Sequence, residues 1–265
     1  MSKQWITLLG AAILATPVAA QIDYRNIDDD RPTLIEDAYP IERYAFELIW
    51  PYRLERHIGG VWVHSVVPEL TYGVGPGMQL GVKVSFAYQR AAGVDAFDLA
   101  GVRGFALVNL HNESPSLPGL SARLDATAPV GGLAGDGAGV ALKLLATRSF
   151  GRSRLHLNGS LALVLPDEPA ATEGLPRWYA GLAVDRSLLR SSTLLLAELV
   201  VLREDGDEPI AVNALVGLRK QMTPTLVVDA GVGRRLRSGV GPSLVFTLGL
   251  SHAFAVRALM PGGSR

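Results

Sequence analysis

Large apolar side chains alternate with small or polar ones along most of this chain. In the run 243–254 the large positions are Leu244, Phe246, Leu248, Leu250, His252 and Phe254. The positions between them are Ser243, Val245, Thr247, Gly249, Ser251 and Ala253. A period of two indicates a β-strand whose two faces meet different surroundings. Because the small face carries no charge, the run favours lipid outside and a small-residue interior over a strand of a soluble sandwich.

Twelve such runs follow one another between residues 44 and 254. They cover about 44–55, 62–74, 80–89, 98–111, 120–129, 139–150, 154–165, 177–188, 193–203, 210–220, 225–235 and 243–254. The number is even and the lengths suit tilted strands that cross a hydrocarbon layer. The pattern therefore predicts an all-β fold, a transmembrane up-and-down antiparallel β-barrel of twelve strands.

The connections between runs support this topology. Longer ones, such as 90–97 and 166–176, alternate with tight ones such as Gly151-Arg152 and Thr223-Pro224. This alternation is expected when long loops lie outside the cell and short turns face the periplasm. The ninth run is ambiguous in its facing, because Glu198 shares a face with Leu194, Leu196, Val200 and Leu202.

The first twenty residues have the features of a cleaved signal peptide. Lys3 precedes an apolar stretch, Trp5 to Leu14, and small residues at 18–20 offer a cleavage site. A membrane anchor is the alternative, but the apolar stretch is short for a span. We therefore expect export to the cell outer membrane of a Gram-negative bacterium.

Three further segments complete the predicted organisation. Residues 21–43 are polar and include an acidic triplet, 28–30, and two prolines, so we expect a periplasmic lead-in or a lumen plug. Residues 44–254 form the barrel, and residues 255–265 form a C-terminal tail.

Composition narrows the partners. The chain has 25 Lys+Arg, 25 Asp+Glu and no cysteine, which argues against nucleic-acid binding and a disulfide scaffold. The expected partners are outer-membrane lipid, the barrel-assembly machinery and a small hydrophobic or aromatic solute. We expect no cofactor, and no pair of the five histidines has the spacing of a helical metal site.

Polar and charged residues on the opposite face of the runs are predicted to line the lumen. They are Glu47, Glu69, Lys83, Arg123, Asp125, Lys143, His156, Asn158, Asp185, Arg219 and Asp229. Both signs of charge are present, so the residues can pair and partly fill the interior. A barrel of twelve strands is thus expected to have a narrow or plugged pore.

One group within the seventh run has the residue types of acyl-transfer chemistry. Arg154, His156, Asn158 and Ser160 share one face. Successive members lie about 6.6 Å apart along a strand, too far for a nucleophile to bond its base directly. We therefore predict lumen lining and no enzymatic activity.

Residues 31–48 and 64–82 resemble a known family. The segments are RPTLIEDAYPIERYAFEL, HSVVPELTYG and the QLGV strand that follows. They resemble the outer-membrane protein family named for the MetA pathway of phenol degradation. The resemblance covers most of the mature chain, is specific over about 31–90, and supplies no binding residue. The eleven residues after Phe254 depart from the usual barrel ending.

The resemblance implies a transporter of hydrophobic or aromatic compounds. The leading hypothesis is a narrow channel or facilitated-diffusion route for such molecules. The alternatives are a closed structural or adhesive barrel that acts through its loops, and an outer-membrane lipid-modifying enzyme.

Overall fold

A computed structural model describes residues 22–29, 31–91, 94–134, 137–166, 177–203, 209–237 and 241–261. The strands are β1 (Ala45–Arg56), β2 (Trp62–Val66), β3 (Glu69–Gly75), β4 (Met78–Ala91), β5 (Val94–His111), β6 (Gly119–Ala128), β7 (Gly137–Phe150), β8 (Ser153–Pro166), β9 (Arg177–Leu188), β10 (Thr193–Arg203), β11 (Ala211–Thr223), β12 (Leu226–Arg237) and β13 (Leu244–Ala255). Short 3₁₀ turns occur at Ile58–Gly60, Leu189–Ser191 and Arg257–Leu259. The predicted signal peptide, 1–20, lies outside the described residues.

The strands form one closed antiparallel barrel. Each barrel strand pairs with the next along the chain, and β1 pairs with β13 to close the ring. β2 and β3 are two halves of one barrel strand, because both pair with β1 on one side and with β4 on the other. The barrel therefore has twelve strands, and the predicted fold class is confirmed.

Two prolines interrupt the wall where β2 gives way to β3. The Val67 N–H donates to the carbonyl of Pro51 at 3.3 Å, and the Val84 N–H donates to that of Pro68 at 2.9 Å. Proline has no N–H to donate in return, so each pair loses one ladder bond. The break between β2 and β3 follows from these missing donors.

The alternation of the sequence becomes the inside and outside of the barrel. Outward side chains such as Leu161 and Leu248 are 51% and 57% exposed, whereas inward positions on the same strands are buried. The outer wall is therefore apolar. Within the described part of the chain, no helix is long and apolar enough to cross a membrane.

The predicted connection 90–97 is wrong. β4 continues to Ala91 and β5 begins at Val94, so both strands extend through most of this stretch. The register shifts where Ser85 pairs with Gly101 and Phe86 pairs with Leu99. A bulge of one residue reverses the facing of side chains beyond it. The alternation of large and small residues therefore changes phase inside β5. The two runs predicted from the sequence stop short of the strand ends at Ala91 and Val94.

The segment 22–44, here called the luminal segment, runs inside the barrel. It enters at the end that carries the short connections (the turn end), where the Ile22 N–H donates to the Pro224 carbonyl at 2.9 Å. It turns back near Leu34 and leaves at the turn end, where the Tyr44 N–H donates to the Gly73 carbonyl at 2.7 Å. The opposite end carries the longer connections and is called the loop end.

Apolar residues of the luminal segment pack on the inner wall. Ile27 contacts Leu194 and Leu196, and Ile35 lies in a cluster with Val200. This resolves the facing of the ninth run: the side that carries Leu194, Leu196 and Val200 points inward and is covered by the luminal segment. Lipid does not meet this side.

The last strand ends at Ala255, and the following residues pack at the turn end. Met260 and Tyr24 lie against a cluster of Ile22, Ala45, Val227, Ala253 and Ala255. The start of the luminal segment and the residues after β13 therefore share one apolar contact.

Candidate functional site

All eleven residues predicted to line the lumen are buried in the barrel interior. Ten of them form polar contacts in three groups, each of which includes side chains of the luminal segment, and Asn158 bonds to the backbone of that segment. The inner wall is thus the surface to which the luminal segment binds. Their role in lining a solute path stays a prediction.

The first group is centred on Asp29. Its carboxylate contacts Lys83, and it lies 2.9 Å from the Arg123 guanidinium and 2.7 Å from Lys143 Nζ. These cations come from β4, β6 and β7. Glu69 pairs with Lys83 at 2.9 Å, and Asp125 accepts two hydrogen bonds from Arg123. Three cations around one aspartate tie the luminal segment to three strands.

The Arg123 guanidinium makes further contacts. It lies 2.7 Å from the Glu36 carboxylate and stacks 3.8 Å from the Phe105 ring centre. A planar guanidinium can bind a carboxylate and an aromatic face together. Arg123 therefore joins both arms of the luminal segment, at Asp29 and Glu36, to the wall.

The second group surrounds Arg31. It pairs with Asp28 of its own segment, lies 3.5 Å from Glu47 of β1 and lies 3.8 Å from Asp229 of β12. Arg219 of β11 reaches Asp28 at 3.3 Å. Buried charges are tolerated when they are paired in this way, whereas removal of one partner is costly.

The third group contains Arg154, His156 and Asp185. Asp185 lies 2.6 Å from the Arg154 guanidinium and 3.0 Å from His156 Nε2, and His156 Nδ1 lies 3.0 Å from the Thr147 hydroxyl. Arg154 also reaches Asp37 at 3.1 Å. Thr147, His156 and Asp185 are at most 1% exposed.

This third group has a hydroxyl, an imidazole and a carboxylate in a row, as an acyl-transfer site would. The Thr147 hydroxyl, however, accepts the Ala38 N–H at 3.0 Å, so the luminal segment covers it. Among the described contacts, no hydrogen bond joins Arg154, His156, Asn158 and Ser160 to one another. The contacts favour a structural role for these residues.

The backbone of the luminal segment is irregular, and wall side chains satisfy its polar groups. Asn158 accepts the Glu36 N–H and donates to the Glu36 carbonyl, both at 2.8 Å. Glu198 accepts the Ile35 N–H at 2.8 Å, and Gln79 accepts the Ile41 N–H at 2.8 Å. Buried backbone groups need such partners.

Sequence reasoning missed Glu198, Thr147 and Gln79 as members of the site. Glu198 did carry a signal, because it was the charged residue on the apolar face of the ninth run. Thr147 and Gln79 are neutral, and nothing in their spacing distinguishes them from other inward polar residues.

At the turn end, Tyr39 anchors the returning arm. Its hydroxyl donates to Glu113 at 3.3 Å, and Glu113 also accepts the Ser149 N–H at 2.8 Å. Burial, followed by the nearby Glu113 carboxylate, raises the pKa of Tyr39 to about 12, so the phenol stays protonated. Burial would by itself raise the pKa of Glu113, but the bonds from Ser149 and the charge of Arg148 lower it.

Two cavities lie toward the loop end, around the tip of the luminal segment. One has a volume of about 430 Å³ and the other about 400 Å³. Their walls share Leu34, Ser160, Ala162, Arg177 and Tyr179. Volumes of this size accommodate small organic molecules.

No group of three or more metal-ligating side chains within the described ranges could hold a metal ion. The candidate site is the lumen, with the luminal segment and the two cavities around its tip.

No family model matches the chain, and no curated protein matches it. Solved structures of the same fold include an outer-membrane channel from Pseudomonas putida F1, with 15% identity over 82% of this chain and 98% of that chain and a TM-score of 0.65. The KdgM porin is similar at 10% identity over 78% and 99%, with a TM-score of 0.58. The NanC porin is similar at 9% identity over 78% and 98%, with a TM-score of 0.54.

At these identities the likeness is one of fold. The chain has the barrel fold of outer-membrane channels and porins. This agrees with the kind of protein that the sequence resemblance implied, whereas the family named for the MetA pathway stays a prediction.

Proposed function

We propose that this protein is an outer-membrane channel whose pore is closed at rest by its own luminal segment. The apolar outer wall would face lipid, the turn end the periplasm and the loop end the exterior. Displacement of the luminal segment would open a route for small solutes by facilitated diffusion.

One observation carries this proposal: between its terminal backbone hydrogen bonds, the described part of the luminal segment is held by side-chain contacts and has no strand pairing with the wall. Its polar anchors are separate ion pairs and hydrogen bonds, such as those of Asp29 and Asn158. A segment held by separate polar contacts can leave without breaking the barrel ladder, because the strands pair only with one another. This arrangement suits a removable plug.

The solute class rests on the sequence resemblance, which implies small hydrophobic or aromatic compounds. The apolar lining near Leu34, Tyr179 and Leu202 is compatible with such solutes.

The test is single-channel conductance in a planar lipid bilayer. Residues 21–265 are compared with a variant that lacks residues 21–43, after both are verified as folded by their heat-dependent electrophoretic mobility. We expect the intact protein to be closed or weakly conducting and the shortened variant to show larger conductance steps. Silence from both folded proteins would refute the channel and favour a closed barrel that acts through its loops.

A third hypothesis, lipid hydrolysis, is tested separately with purified protein and phospholipid vesicles. We expect no hydrolysis, because the Thr147 hydroxyl is covered by Ala38. Hydrolysis by the unmodified protein that is lost in His156→Ala would support the enzyme hypothesis.

A further inference from the structure

The inner wall above the luminal segment carries a compact patch of side chains from β8, β9 and β10. Ser160 lies directly opposite Tyr179, and Tyr179 lies directly opposite Leu202 on its other side. Arg177 is two residues from Tyr179 on the same strand and faces Ala162. Opposed side chains in a sheet have Cβ atoms about 5 Å apart, so these groups form one surface.

Ser160, Arg177 and Tyr179 line both cavities, and Leu202 lines the larger one. Leu34 provides the floor, and Tyr179 and Leu202 pack against the same cluster as Leu34. The side of the patch toward Leu202 and Leu34 is therefore apolar. The other side carries a hydroxyl at Ser160 and, two residues from Tyr179 toward the loop end, a guanidinium at Arg177. A ligand that matches this division has an apolar body and a polar head.

The acids that line these cavities are already engaged. In the larger cavity, Glu55 lies 2.6 Å from Arg53 and 3.1 Å from His57, and Glu198 accepts the Ile35 N–H. In the smaller cavity, Asp29 and Asp125 are both bound by Arg123.

Arg177, in contrast, forms no ion pair with any acid of the described ranges. A guanidinium with no counter-charge among the described residues, beside a hydroxyl and above an apolar floor, attracts an anionic head group. The positive charge therefore faces space that a ligand can occupy.

We propose that this patch binds a small amphiphilic monoanion, with its carboxylate on Arg177 and Ser160 and its apolar body on Tyr179, Leu202 and Leu34. This inference deepens the proposed channel function, on which it rests, by naming the solute class. It differs from a purely hydrophobic solute in requiring one negative charge.

The test is isothermal titration calorimetry of the full protein in a nonionic detergent. The probes are hexanoate and hexanamide, which differ in charge but have nearly the same size. We expect hexanoate to bind at least tenfold more tightly than hexanamide, because loss of a charged hydrogen bond is worth about a factor of ten or more. Equal affinities for the two probes, or no binding of hexanoate, would overturn the proposal.

Variants locate the site. Arg177→Gln should weaken hexanoate binding about tenfold and leave hexanamide binding unchanged, and Arg177→Lys should restore most of the affinity for hexanoate. Arg186→Gln is the matched control, since Arg186 is on the same strand but is exposed on the outer wall. If Arg177→Gln binds hexanoate like the unmodified protein, the assigned site is wrong.

Two controls distinguish loss of hexanoate binding from loss of folding and from loss of conductance. Heat-dependent electrophoretic mobility reports whether each variant forms the barrel, and Arg177→Met, which also removes the charge, serves if Arg177→Gln does not fold. If the variant lacking residues 21–43 conducts but the full protein does not bind hexanoate, the channel function is supported and the anion site is refuted. If hexanoate binds through Arg177 and neither protein conducts, the site stands and the channel falls.

Discussion

Pro32 of the luminal segment lies against Gly231 of β12, where a methyl group on the glycine would come within 2.8 Å of Pro32 Cβ. Gly231 is paired directly with Gly217 of β11, which also faces the proline ring. Two opposed glycines therefore form a notch in the inner wall that admits Pro32. The notch fixes the depth at which the luminal segment sits.

Gly231→Ala should displace the luminal segment. Overpacking of this kind costs about 1–3 kcal/mol. Release of Pro32 removes one of the two closest contacts, the other being the Thr247 hydroxyl at 2.8 Å. We expect increased single-channel conductance. Gly159→Ala is the control, because nothing lies within 4 Å of a methyl group there. The double variant Gly231→Ala with Pro32→Gly should conduct less than Gly231→Ala alone, and failure of this rescue would contradict the notch.

Asp29→Asn should weaken the docking of the luminal segment more than any other single charge removal. It leaves Lys83, Arg123 and Lys143 without their shared partner, and breaking a buried ion pair costs about 3–5 kcal/mol. Conductance should rise. Asp23→Asn is matched to it, since Asp23 pairs with Arg25 alone among the described residues and both side chains are about half exposed. An equal effect of the two variants would refute the central role of Asp29.

The contact between Tyr39 and Glu113 should depend on pH in one direction. The pKa of Glu113 is lower in the folded protein than its ordinary value of 4.5, so the charged carboxylate is favoured by folding. This stabilisation is fully present above pH 4.5 and is lost as the pH falls through the lower folded pKa.

Urea unfolding in detergent, measured at a series of pH values, checks this dependence. Glu113→Gln should be less stable than the unmodified protein at pH 7, and the difference should shrink in acid. Glu42→Gln is the control, since Glu42 is exposed beside the same arm. A difference that grows with acidification would contradict the sign.

Leu248→Arg should destabilise the barrel in lipid. Leu248 is 57% exposed on the outer wall, and it lies opposite Tyr52 and Ala230 within the sheet. An arginine at mid-membrane depth of a barrel costs about 2–4 kcal/mol. Reversible urea unfolding in lipid vesicles measures this cost.

The control for this prediction is Leu259→Arg, at a leucine of similar exposure that lies in the 3₁₀ turn after β13. We expect little change there, because the turn lies beyond the strand. Equal costs at both positions would argue against a lipid-facing wall at Leu248.

The sequence predicted most of the barrel because its signal is local. The alternation from Leu244 to Phe254, for example, distinguishes the inner face of the strand from its apolar outer face, whichever strands are its neighbours. It failed at the bulge opposite Ser85 and Phe86, where the extra residue Ala100 of β5 reverses the phase. The charged residues of the inner face were also predictable, because charge is costly in contact with the hydrocarbon core.

The docking of the luminal segment was decided by tertiary structure. Asp29 gathers cations from β4, β6 and β7, and Pro32 fits glycines on β11 and β12, although these strands are far apart in the sequence. The presence of Glu198 on an apolar face is explained only by the folded structure, in which it accepts the Ile35 N–H. Alternation along a strand fixes which way a side chain points, whereas only closure of the barrel determines which distant groups meet inside it.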